Sequence, residues 1–496
     1  MKNNVSRRFV LSGLGSLLSG AAVAEPPSVS LRPRVRTDGF HKRTAPGAKA
    51  LIEASRLTGD VSFMVADVNT GLRLEGYRSD AGAPPASVAK AVTALYALDV
   101  LGAEHRFQTR LMSTEPVQDG ILHGDLVLVG GGNPTLNTND LADLALQLKA
   151  SGLREVRGEF QVYEGALPFV QSIDPDQPDH VGYSPAISGI ALNFNRVHFE
   201  WKRGSNGYNV TMDARTAKYR PDVSTARMRV EKRSVPVYTY KTANNVDEWT
   251  VASKALGKGG ARWLPVRNPA LYAGDVFRTL ARANGIVLKP AKPMRTLSGR
   301  IILATHSSAP LLKILRDMLK YSTNLTAEMV GMAASRVRTG RPTSLQDSAQ
   351  EMNKWAGPAL GMADAQLVDH SGLGDASQMS AGDLVEALVQ VHSHQGLRPI
   401  LKPIALRNSK GAPDKNHVIK VDAKTGTLNF VSGLAGYMTA ADGTPLAFAI
   451  FASDQTARSK IKREDRERPP GARTWNRRAK NLQQDLIERW GLVYGS

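Results

Sequence analysis

The sequence predicts an α/β protein of the α+β kind, an antiparallel sheet flanked by helices and interrupted by a long β-rich insertion. Three observations carry this expectation. Hairpin patterns lie near opposite ends of the chain, at Val61–Tyr77 and Gly436–Phe451. A run that is apolar nearly all round, Ser87–Leu101, reads as a central buried helix ending at Gly102. Between about residues 106 and 293, helical periodicity gives way to short strand-like pieces separated by turn residues.

Taken in order, residues 25–45 are rich in Pro, Arg and Ser and read as a linker. Ala48, Leu51, Ile52 and Ala54 then suggest a weak helix. Val61–Val68 alternates bulky β-formers, Asn69-Thr70-Gly71 is a turn signal, and Leu72–Tyr77 returns as a second strand. Ala81-Gly82-Ala83-Pro84-Pro85 breaks the chain before the apolar helix. In the insertion, strands are expected at Leu126–Val129, Glu159–Tyr163, Val197–Trp201, Tyr208–Met212, Arg227–Lys232 and Val235–Tyr240, with a closing helix at Gly274–Asn284. Helical spacing resumes over Ala309–Ala334 and Gly382–Val391. Val418–Asp422 and Gly426–Phe430 read as strands, Arg458–Arg468 as a solvated charged loop, and Thr474–Trp490 as a last helix. The expected division is residues 1–24 as an export signal, 25–45 as linker, 46–105 with 294–496 as one domain, and 106–293 as the insertion.

The signal rests on three parts. Met1–Arg8 is basic, Phe9 to about Leu18 is apolar but too short to span a bilayer, and Ala22-Val23-Ala24 offers a small-residue cleavage site. Ser6-Arg7-Arg8-Phe9-Val10-Leu11 resembles a twin-arginine signal, although the phenylalanine follows the arginines directly, which leaves the Sec route open. Both routes predict a periplasmic protein. Residues 1–24 hold three basic groups and no acid, so the formal charge of +19 for 496 residues becomes +16 without them. Such a balance suits an anionic surface or polymer and predicts peripheral association with wall or membrane, without choosing between them. The chain has no cysteine, which rules out disulfides and thiol catalysis. His392 and His394 are two apart, do not match the i, i+4 spacing of a zinc helix, and read as surface or packing residues.

Three short motifs carry chemistry. Ser87 and Lys90 are three apart, so a helix places them on one face, and an apolar environment lowers a lysine pKa until the free amine can accept a serine proton. The spacing alone is weak: Ser459 and Lys462 share it within the charged run. Ser322-Thr323-Asn324 supplies a hydroxyl for proton relay and an amide to hold a peptide bond, although Ser-x-Asn is equally a helix cap. Lys424-Thr425-Gly426 opens a strand and is followed by Thr427. Its lysine and threonine suit a substrate carboxylate, its glycine admits a substrate backbone, and the Thr427 N–H can pair with that of Ser87 as an oxyanion hole. Helix serine, loop serine and strand lysine in this order are the set that penicillin-binding proteins and class A β-lactamases share.

With these motifs the chain resembles the low-molecular-mass, insertion-bearing penicillin-binding proteins, which are D-alanyl-D-alanine carboxypeptidases and endopeptidases. The separation of 235 positions from Ser87 to Ser322 leaves room for the extra domains of that family. Gly124–Leu136, Tyr183–Asn195, Asp369–Gly374 and Gly433–Tyr437 are also similar to family segments. Departures are Val88 and Thr323, where the family tends to have Asn and Asp, and Asn133 in place of Asp. The resemblance implies a transpeptidase-like fold and acyl-enzyme hydrolysis of peptidoglycan peptides. Ser87 would be the nucleophile and Lys90 its base, Ser322 and Asn324 would complete the proton network, and Lys424, Thr425, Gly426 and Thr427 would hold substrate. It further implies acylation by β-lactams, no need of a metal or cofactor, and no nucleic-acid partner. The alternatives are a β-lactamase or esterase of the same fold, for which the Glu-x-x-Leu-Asn context of class A enzymes is missing, and a non-catalytic wall-binding protein.

Overall fold

The computed structural model describes residues 45–341, 344–393, 396–408 and 410–495, so the expected signal at 1–24 and nearly all of the expected linker lie outside the described residues. The two terminal hairpin patterns meet in one antiparallel sheet of six strands. Its order is Lys402–Pro403, Lys420–Leu428, Val431–Thr439, Pro445–Ser453, Asp60–Asp67 and Arg73–Tyr77. Asp60–Asp67 pairs with Pro445–Ser453 in a register running from Asp60 opposite Ser453 to Asp67 opposite Leu446. Both strands are central and covered on both faces, which is why Leu446–Phe451 is apolar without alternation.

The two-residue period of Asp60–Asp67 divides its side chains between two cores. Met64 and Ala66 pack with the apolar helix Ala89–Leu101 and with helices Leu311–Tyr321, Asn324–Thr339, Leu345–Leu360 and Ala381–Val391. Val61, Phe63 and Val65 face the other layer, made by helices Ala48–Ser55 and Ala472–Val493. Trp490 anchors that layer, its ring 5.6 Å from Phe63 and 6.0 Å from Phe448. Burying an aromatic side chain of this kind contributes about 2–3 kcal/mol.

The strand after the Lys-Thr-Gly segment runs over Val431–Thr439, earlier than the expected start at Gly436. Its first half, Val431-Ser432-Gly433-Leu434-Ala435, includes Ser, Gly and Ala and has Val431 as its one β-branched residue, so its strand signal is weak. The reason is close packing: a Cβ at Gly433 would lie 3.0 Å from Val88 and 3.1 Å from the Pro85 carbonyl oxygen.

Between Leu101 and Leu311 the chain builds separate sheets around their own core, which includes Leu128, Phe160, Trp249, Tyr272 and Phe277. A five-stranded mixed sheet has the order Lys292–Met294, Phe160–Tyr163, Leu126–Gly130, Gln108–Ser113 and Ile301–Ser307. Two three-stranded sheets accompany it, one centred on Arg196–Gly204 and the other on Val246–Ala252. The stretch is less purely β than its texture suggests. Helix Thr138–Ala150 is closed by a capping box in which Asn137 accepts from the Asp140 N–H and Asp140 accepts from the Asn137 N–H. The expected helix at Gly274 begins earlier, at Pro269, a residue suited to a first helical turn.

Candidate active site

Ser87 lies in the single 3₁₀ turn Ala86–Val88 that leads into helix Ala89–Leu101. The turn is held in an unusual shape: Ala86 has φ 47°, the left-handed region that side chains other than glycine rarely adopt. Two glycines let neighbouring chains grip it. A Cβ at Gly372 would lie 1.9 Å from the Ala86 carbonyl oxygen, and one at Gly426 would lie 2.6 Å from that of Pro85. The Lys-Thr-Gly glycine therefore has a packing role as well: it lets the strand pass against the nucleophile turn.

One helical turn on, Lys90 is fully buried. Its Nζ donates to Ser87 Oγ at 3.0 Å, to Asn324 Oδ1 at 2.8 Å and to the Ser371 carbonyl oxygen at 2.8 Å. Burial lowers its pKa from 10.5 to about 8, against the opposing pull of the carboxyls of Glu328 and Asp369. These two are themselves buried behind the site. Asp369 accepts from the N–H groups of Ser371, Gly372 and Gly374 and so shapes the loop that supplies the Ser371 acceptor. Burial, then the neighbouring charge of Asp369, push the Glu328 carboxyl up to about 8. His370, next to Asp369 in the chain and bonded to Ser348 Oγ at 2.8 Å, is held neutral, its pKa lowered to about 3 by burial.

The long helical stretch expected at Ala309–Ala334 is in fact two helices, and the break between them is the Ser-x-Asn segment. Ser322 adopts φ 57° at the C-terminus of Leu311–Tyr321, and the next helix starts at Asn324. The break turns Ser322 Oγ toward Lys424 Nζ, which donates to it at 3.0 Å. Asn324 meets Lys90 through its oxygen and donates through Nδ2 to the Tyr183 carbonyl oxygen at 3.0 Å. Tyr183, from the inserted stretch, thus becomes a wall of the site.

Lys424 is 1% exposed, and burial followed by the charge of Lys90 lowers its pKa to about 6. Thr425 and Thr427 point to the opposite face of the strand and are exposed. Ser87, Ser322, Asn324 and Thr427 line one cavity of about 350 Å³. Lys90 and Lys424 reach its serines from behind, while Gly426 sits under the nucleophile turn. The Thr425 side chain does not line that cavity. The decoy pair falls outside it: Ser459 is exposed at the end of a five-residue helix, its Oγ donating to the Thr456 carbonyl oxygen.

Sequence reasoning missed the far wall, made by Asp375, Arg458, Arg466 and Glu467. Three of these come from the run read as a solvated loop. In the structure Arg458 is nearly buried and pairs with Asp375, and Glu467 accepts from Arg262 Nη2 at 2.8 Å and shares a 2.8 Å hydrogen bond with His180 Nε2. Those partners hold the Glu467 carboxyl down at about 2, the His180 hydrogen bond contributing most. Among the described residues, no group of three or more His, Asp or Glu side chains is placed to hold a metal ion.

Comparison with known proteins points the same way. The model of the D-Ala-D-Ala carboxypeptidase 3 (S13) family matches residues 48–468. The D-alanyl-D-alanine carboxypeptidase of Actinomadura sp. (strain R39) is 30% identical over 443 residues, covering 81% of this chain and 79% of the relative. The D-alanyl-D-alanine carboxypeptidase DacB of Haemophilus influenzae is 25% identical, covering 79% and 85%. In fold, the crystal structure of penicillin binding protein 4 (dacB) from H. influenzae superposes with a TM-score of 0.71 at 20% identity, covering 89% of this chain and 99% of the other. The same protein solved with a β-lactam gives 0.68 at 21% identity and 89% and 99% coverage.

Proposed function

The chain belongs to the D-Ala-D-Ala carboxypeptidase 3 (S13) family of serine peptidases, and from that premise we propose how its own residues cleave peptidoglycan stem peptides. The observation that carries the reading is the hydrogen bond of 3.0 Å between fully buried Lys90 Nζ and Ser87 Oγ. Once neutral, Lys90 takes the Ser87 proton as Oγ attacks the carbonyl between the two D-alanines. The N–H groups of Ser87 and Thr427 hold the oxyanion. Lys424 binds the terminal carboxylate, the Thr425 side chain being turned to the other face of the strand, and Ser322 relays to the departing amine the proton that Lys90 took. Water then hydrolyses the Ser87 ester. β-Lactams acylate the same oxygen. Carboxypeptidase action on stem peptides and endopeptidase action on cross-links use one mechanism, differing only in the amine that leaves.

The test is mass spectrometry of muropeptides incubated with the protein. Pentapeptide stems should shorten by one D-alanine, and cleaved cross-links would add the endopeptidase activity. Rapid β-lactam turnover with no D-alanine release would overturn the reading in favour of a β-lactamase.

The two lysines predict a proton effect on binding. Lys424, lowered to about 6, is largely neutral at pH 7 in the free site. A bound carboxylate is an opposite charge and raises it again. Binding therefore takes up a proton between pH 6 and the raised value, and affinity falls as pH rises through that window, by up to tenfold per unit. Calorimetry of an acyl-D-Ala-D-Ala peptide binding to Ser87→Ala protein, in two buffers of different ionisation enthalpy at pH 7, should show uptake. Equal heats in both buffers would refute it.

A further inference from the structure

Beyond Glu467 the catalytic cavity meets a second, wider cleft of about 1,050 Å³ between the segment Arg463–Arg468 and the inserted sheets. Glu467 lines both spaces. The direction of the substrate comes from the proposed function, on which this inference rests. With the terminal carboxylate at Lys424 and the scissile carbonyl at Ser87, the acyl side of the peptide runs along Thr427, Leu428 and Asn429, which line the cavity up to Arg466 and Glu467. The part of the substrate that precedes the stem peptide is thus led to the second cleft.

The lining of the cleft suits a particular chemistry. Its walls carry flat rings: Trp201, Tyr238 and the edge of Trp249. Tyr238 is fixed by His180 stacked at 4.8 Å and by the Arg262 guanidinium 5.0 Å from its centroid. The Trp249 indole N–H is buried and has no acceptor among the described residues. The rim is apolar on one side, with Val235 75% exposed, and charged on the other, where Glu464, Asp465 and Arg468 stand. Two of its arginines are already in ion pairs, Arg463 with Asp179 and Arg262 with Glu467. Rings with apolar faces, beside two paired arginines and with the carboxylates of Glu464 and Asp465 set against Arg468, fit an uncharged, hydroxyl-rich ring better than a polyanion.

We propose that this cleft is a subsite for amino sugar, holding the glycan that carries the stem peptide while the D-Ala-D-Ala end lies at Ser87. The cleft then makes the enzyme selective for wall-derived substrate over free peptide.

The test compares two substrates on the full chain: an acyl-D-Ala-D-Ala pentapeptide without sugar, and the same peptide on its N-acetylglucosaminyl–N-acetylmuramyl disaccharide. The wild type should favour the disaccharide form in kcat/KM. Tyr238→Ala and, on the exposed rim, Val235→Glu should each lower that preference about tenfold, through KM, with the sugar-free peptide and penicillin acylation unchanged. The ratio of the two kcat/KM values is decisive, because a folding defect lowers both alike. A ratio near one in the wild type, or a ratio unmoved in both variants, overturns the subsite. Failure of the wild type to be acylated by penicillin would instead overturn the proposed function.

Discussion

Ser87→Ala will leave no protein labelled by a fluorescent penicillin and will reduce D-alanine release by on the order of 10⁴-fold or more, the scale seen when a serine nucleophile is removed from other hydrolases. Among the described residues that line the cavity, no other hydroxyl is equivalently placed. Ser87 Oγ stands at the mouth of the cavity with Lys90 Nζ at 3.0 Å, and Lys424 already occupies Ser322 Oγ at 3.0 Å. Removing one oxygen from a half-buried side chain creates almost no cavity, so thermal unfolding should stay within a few degrees of the wild type. Ser459→Ala is the matched control, since Ser459 has the same spacing to Lys462 and neither lines the cavity. Labelling that survived in Ser87→Ala, or vanished in Ser459→Ala, would show that the nucleophile has been wrongly assigned.

That control also shows what the sequence can and cannot reveal. Ser-x-x-Lys became informative only through context: an apolar helix with no polar face, which the structure buries with Lys90 inside it. The sheet was legible at its two central strands because bulky residues leave a clear pattern, and less so at Val431–Thr439, where contact with the nucleophile turn requires small residues. The break at Ser322 was legible only in part: Ser-x-Asn offered a helix cap, but the apolar spacing argued for one continuous helix. Apolar spacing runs on from Leu319 to Leu325, and a serine at positive φ leaves no mark in composition. Helix Thr138–Ala150 did carry a readable sign, the Asn137–Asp140 capping pair, overshadowed by the strand-like runs on either side. The wall at Arg458, Arg466 and Glu467 was misread for a different reason. A charged run is exposed or paired according to what faces it, and the partners of this wall, Asp375, His180 and Arg262, lie some 80 to 290 residues away in the chain. Long-range pairing of that kind has no local periodicity to betray it.

Lys90→Met should slow acylation by roughly 10²–10⁴-fold, the contribution expected of a positioned general base, while preserving the volume of a buried side chain. The pH profile of the wild type identifies the residue. Lys90 works as a base only when neutral, and burial brings its pKa from 10.5 to about 8 despite the nearby carboxyls of Glu328 and Asp369. The acylation rate constant with a β-lactam should therefore rise about tenfold per pH unit below 8 and level off above it. A β-lactam also needs Lys424 for its carboxylate, but that group loses its proton as pH rises, so its effect is on affinity and has the opposite sign. Measuring the maximal rate constant separately from half-saturation keeps the two apart. In Lys90→Met the limb near pH 8 should disappear and leave a slow rate that tracks hydroxide. A mutant that kept the limb at 8 would assign it to another group, with Glu328, pushed up into the same range, the first to examine. A mutant as fast as the wild type would leave the hydrogen bond to Ser87 structural and remove Lys90 from the chemistry.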